Sequence, residues 1–99
     1  MAWTYSGDPS SSDLDKYRFL IGDTDANEPI LQDGEITFVV NSYENHNERL
    51  YILYDAAADY FARQIERKVG PIEEKPTERL RYFRTKANYY RRIVNGIGL

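Results

Sequence analysis

Apolar side chains recur every three to four residues in four separate stretches of this chain, and each stretch predicts a helix. In the first, Leu14, Tyr17 and Ile21 share one face. Ser12, with Asp15 three residues on, predicts a capped start at Ser11 or Ser12, and Gly22 predicts the stop. In the second, Ile36, Val39, Val40 and Tyr43 follow an acidic opening at Asp33 and Glu35. Between them, Ile30 and Leu31 are expected to tuck a polar loop onto the core. The third and longest helix is predicted from Glu48 to Val69, after a turn at Asn45-His46-Asn47. Its stripe is Leu50, Leu53, Tyr54, Ala57, Ala58, Phe61 and Ile65, and Gly70-Pro71 ends it. The three consecutive alanines, Ala56 to Ala58, let another helix approach closely. The fourth is predicted to open at Pro76-Thr77, with Thr77 as cap, and carries Leu80, Phe83, Ala87, Tyr90 and Val94 on one face. Gly96 ends it. These elements predict an all-α fold of about four helices, with an extended arm over residues 1–10 and a short tail over 96–99.

A chain of 99 residues makes one domain with one modest core. With no cysteine, disulfides and thiolate chemistry are excluded, and a reducing compartment fits. No apolar run approaches the roughly 18 residues that span a bilayer, and the first residues do not read as a signal peptide. The net charge of -3 hides an asymmetry. Residues 1–50 hold ten acids and three bases, and residues 51–99 hold six acids and ten bases. Such a dipole suits head-to-tail packing of identical subunits, although charges also simply solvate helix faces.

Catalytic and metal chemistry find little footing. Asp23-Thr24-Asp25-Ala26-Asn27 opens like a calcium loop, but the sixth and twelfth positions hold Glu28 and Gly34 where that loop needs Gly and Glu. Loop-capping carboxylates are the expectation instead. His46 is the lone histidine, and Ser10-Ser11-Ser12 lacks a nucleophile setting. The expectation is a non-enzyme without cofactor or metal.

Two regions point to partners. Trp3 and Tyr5 are large aromatics in an arm without periodicity, expected to dock on the chain's own core or on a neighbour. In the last helix, Tyr82, Tyr89 and Ile93 form a second stripe about 110° from the core stripe. Six bases (Arg79, Arg81, Arg84, Lys86, Arg91, Arg92) accompany them against one acid, Glu78. Tyr with Arg is typical of interface hot spots. A wider core, or a nucleic-acid surface with tyrosines stacking on bases, is the alternative.

The arm Trp3-Thr4-Tyr5-Ser6-Gly7-Asp8-Pro9 precedes Ser10-Ser11-Ser12-Asp13. Downstream come Tyr17-Arg18-Phe19-Leu20-Ile21-Gly22-Asp23-Thr24-Asp25, then Pro29-Ile30-Leu31 and Asp33-Gly34-Glu35-Ile36. In this order and at this chain length the sequence resembles the head–tail connector (adaptor) proteins of tailed bacteriophages. The short 70–76 connection departs from relatives that carry a longer, strand-like insertion there. The resemblance implies a virion protein of the neck, made in the host bacterial cytoplasm. It implies a ring of about twelve copies on the portal protein that extends the DNA channel and receives downstream neck or tail proteins. Genomic DNA would pass without tight or sequence-specific binding, and no membrane is involved. It further implies that the last helix and tail meet the portal, through Tyr82, Tyr89, Arg91, Arg92, Ile93, Ile97 and Leu99. Asp23 and Asp25 are the implied channel lining.

Overall fold

A computed structural model describes residues 2–67 and 74–96, and within them the fold is all-helical. The helices are α1 (Asp13–Ile21), α2 (Asp33–Ser42), α3 (His46–Arg67) and α4 (Glu74–Val94). The predicted end of the third helix at Val69, its Gly70-Pro71 stop, and the tail residues Ile97 and Leu99 lie outside the described residues.

α1 begins as its sequence predicts: the Ser12 hydroxyl accepts from the Asp15 N–H. At its end Gly22 adopts φ 81°, a left-handed conformation that a Cβ would strain. Gly22 N–H then donates to the Phe19 carbonyl and Asp23 N–H to the Arg18 carbonyl, a Schellman closure. This turn fixes Asp23 directly below the last turn of α1. In α2, the Glu35 carboxylate reaches back to the Gln32 N–H at 2.7 Å.

Two helix starts differ from the sequence reading. α3 begins at His46, because the Asn45 side chain caps it by accepting from Glu48 N–H. The predicted turn over 45–47 is therefore a cap and the first helical turn. α4 begins at Glu74, so Thr77 is inside the helix rather than its cap. Pro76 sits in the first turn, where its missing N–H costs nothing.

The long helices α3 and α4 pack against each other over most of their length. Ala57, Ala58 and Ala87 are all but fully buried, and their small side chains permit close approach. An aromatic series fills the seam: Tyr54 stacks on Tyr90 at 5.7 Å between centroids, and Phe61 stacks on Phe83 at 5.7 Å. Phe83 also meets Tyr54 at 6.1 Å. Arg84 of α4 reaches Asp55 and Asp59 of α3 at 2.9 and 3.2 Å, an ion-pair link across the seam. α1 and α2 add Tyr17, Ile21, Ile36 and Val39 to the same core, with Ile30 and Leu31 tucked in as their spacing predicts. The Tyr54 hydroxyl donates to the Leu20 carbonyl and ties α3 to α1. Burial, then the neighbouring Tyr82 and Tyr90, push this phenol up to about 12. The apolar stripe of α4 fades at its end, where Val94 is exposed. The whole measures 42 × 35 × 19 Å, a slab about two helices thick.

Candidate functional site

The arm is a structural part of the fold. Its anchor is Arg18, which falls on the apolar face of α1 and is fully buried. The guanidinium donates to the Thr4 carbonyl at 2.7 Å, to Asp23 at 2.6 Å and to Asp33 at 2.8 Å. The Trp3 indole lies over it at 4.6 Å, a cation–π contact in a desolvated setting. Asp23 in turn accepts from Trp3 Nε1, Arg18, Ile30 N–H and Leu31 N–H, so both oxygens are satisfied twice. Asp33 accepts from the Thr4 N–H and hydroxyl as well as from Arg18. Ser6 closes the set on Asp15, through its N–H and its hydroxyl. A buried charge pair is tolerated only with this degree of satisfaction.

One sequence expectation changes as a result, and one of two alternatives is selected. Asp23 is 1% exposed and cannot line a channel; it is the buried counter-charge of Arg18. Trp3 docks on its own chain rather than on a partner, because its N–H and ring face are both taken by α1 and the following loop. Tyr5 is partly buried in the same arm. Asp25 remains exposed, and its carboxylate caps the turn at Asn27 N–H.

A second polar junction joins α1, α2 and α3. Arg49 donates to the Val40 carbonyl at 2.9 Å and to the Tyr43 carbonyl, satisfying the C-terminus of α2 with a cation where the helix dipole favours one. The Tyr17 hydroxyl sits between Arg49, at 3.3 Å, and His46 Nδ1, at 2.8 Å. Burial, then the positive charges of Lys16 and Arg49, hold His46 below its ordinary value of 6.5. The unfolded chain therefore takes up the proton first. Stability is expected to be level above pH 6.5 and to fall as pH drops below it. Thermal melts from pH 8 to 5 check this, and His46→Gln should flatten that limb. At Asp33 burial opposes ionisation, but Arg18 and Thr4 outweigh it and hold the carboxyl below 3.8. Its stabilising contribution is lost only as pH falls below that value.

The outward face of α4 is open to a partner. Tyr82 and Tyr89 are 51% and 46% exposed, each set edge-on against the core ring that follows it, Phe83 or Tyr90. Lys86 lies over the Tyr82 ring at 5.8 Å. Arg81, Arg91 and Arg92 are exposed, and Ile93 is half-buried beside Asn45, Asn47 and Glu48. Arg79 and Arg84 are engaged with the chain's own acids, Glu28 and the Asp55–Asp59 pair. The sequence thus identified the Tyr82–Tyr89–Ile93 stripe, and the structure brings those three together with Arg91 and Arg92 on one helix. It missed Phe38 on α2, which at 64% is the most exposed large apolar side chain among the described residues. The signal was present: Phe38 falls off the Ile36–Val39–Tyr43 stripe.

Among the described residues, no group of three or more His, Asp or Glu side chains is placed to hold a metal ion, and no helix is long and apolar enough to cross a membrane. Compared with known protein families, curated proteins and solved structures, the chain matches none of them.

Proposed function

We propose that this protein is a structural, non-enzymatic ring component, a head–tail connector of a tailed bacteriophage. About twelve copies sit on the portal, continue the DNA channel, and carry downstream neck or tail proteins. The observation that carries the reading is the exposed Tyr-and-Arg face of α4, an arrangement a monomer has little use for. It supports an interface by composition: Tyr and Arg dominate binding energy where they become buried. The resemblance in the arm and in the Arg18-to-Asp25 stretch supplies the identity of the partner. The C-terminal half of α4 (Tyr89, Arg91, Arg92, Ile93) with the tail residues Ile97 and Leu99 is the portal-docking surface. Asp25 is retained as the lining residue.

Native mass spectrometry with and without the portal of the same phage tests this. The expected result is a complex carrying about a dozen copies. Combined Tyr89→Ala and Ile93→Ala changes should weaken that binding roughly 100-fold or more while circular dichroism shows an intact fold. Unaltered binding by the double variant would remove the docking assignment. A nucleic-acid reading of the same helix predicts duplex binding that falls steeply with salt. The pairing of Arg79 and Arg84 with the chain's own acids favours the protein interface.

A further inference from the structure

The slab carries two outward faces of opposite character. Between Arg18 and Arg49 the chain has no Lys or Arg and seven acids, of which Asp23 and Asp33 are paired with Arg18 and Glu28 with Arg79. α2 lies within that stretch and exposes Phe38, with Glu35 one turn before it and Asn41 one turn after. Among the described residues Phe38 has no aromatic ring contact. On α4, a shallow hollow of about 330 Å³ is lined by Glu78, Arg81, Tyr82, Thr85 and Lys86. It has room for a phenyl ring beside Tyr82, whose ring lies under the Lys86 ammonium, and places two bases and one acid, Glu78, at its rim.

We infer that Phe38 of one copy seats in the Tyr82 hollow of the next, with Glu35 facing Arg81 and Lys86. The contact is heterologous, joining α2 of one subunit to α4 of its neighbour, and can therefore repeat around a ring. It deepens the ring reading and rests on it for closure, not for the pairwise contact itself. It also divides the work of α4. Tyr82 lies about 10 Å along the helix from Tyr89, at 1.5 Å per residue, so the subunit contact and the portal contact occupy different lengths of one face. The occupant is a second copy because the complementary charge and the projecting ring are both supplied by this chain.

The natural absence of cysteine makes the test direct. Asn41→Cys and Thr85→Cys chains, both changed at exposed positions, are mixed under mild oxidation and resolved without reductant. The expected result is mixed disulfide dimer in at least tenfold excess over an Asn41→Cys and Ser10→Cys control mixture. The excess should fall to the control level when Phe38→Ser is added to the Asn41→Cys chain, and should shrink in 1 M salt, where screening shortens to about 3 Å. No excess over the control, or an excess indifferent to Phe38→Ser, would overturn the contact. Portal binding by the unaltered chain is read separately by native mass. Its presence without the disulfide excess would reject this contact alone, and its absence with the excess would reject the portal reading alone.

Discussion

Arg18→Ala is expected to remove about 3–5 kcal/mol of stability, the characteristic cost of leaving half of a buried ion pair unpaired. A domain of this size has only about 5–15 kcal/mol in total, so the variant should lie near the edge of folding. The reason is that one side chain serves three segments. Without the guanidinium, Asp23 is a buried carboxylate held only by neutral N–H donors, and the Thr4 carbonyl loses its partner. Trp3 loses the cation beneath its ring. A urea titration followed by circular dichroism measures the loss, and a melting temperature lower by at least about 12 °C is the thermal counterpart. Arg18→Lys should recover only part of it, because an ammonium keeps the charge but not the planar fork that spans Asp23 and Asp33. A midpoint within error of the unaltered protein would mean the hub contributes nothing.

Phe83→Ala is expected to cost a similar amount, about 3–5 kcal/mol, in the seam between the long helices. Phe83 is 4% exposed and touches the rings of Tyr54, Phe61 and Tyr82. Truncating it leaves a cavity between two long helices that cannot both relax inward. The near-ultraviolet signal of the tyrosine series should change with the stability, since Tyr54 and Tyr82 lose a shared neighbour. Phe83→Leu should cost less than half as much, as most of the volume remains. A Phe83→Ala midpoint within about 1 kcal/mol of the unaltered protein would show that the seam does not depend on this ring.

The helices were legible because periodicity and caps are local. Ser12, Gly22 and the acidic opening of α2 act within a few residues of where they stand. The errors at Asn45 and Pro76 came from reading residues common in turns as turns, when each also suits a first helical turn or its cap. The hub was harder to read. Its partners lie up to 31 residues apart, as in Asp33 N–H to the Ala2 carbonyl, and no periodicity reports such pairings. One local sign existed: Leu14, Tyr17, Arg18 and Ile21 follow the i, i+3, i+4, i+7 pattern, so an arginine occupied a core position. An arginine there requires a carboxylate, and Asp23 closes the helix five residues later. The exposed stripe on α4 was visible because two apolar stripes on one helix exceed what its own core can absorb.

The arm latch has a consequence for how the chain acquires its structure during synthesis. Every polar contact of Arg18, Asp23 and Asp33 is made within the first 33 residues, so the parts are complete long before α3 leaves the ribosome. Yet Tyr17, Ile21 and Ile36 belong to a core that is completed only when Leu53 and Ala57 follow. Until then the ions stay hydrated, and in water their mutual attraction is on the order of 1 kcal/mol. The nascent amino-terminal third therefore holds a full set of fastenings with no grip. They tighten only when the long helices arrive and expel the water, which welds the two halves of the chain into one cooperative folding event.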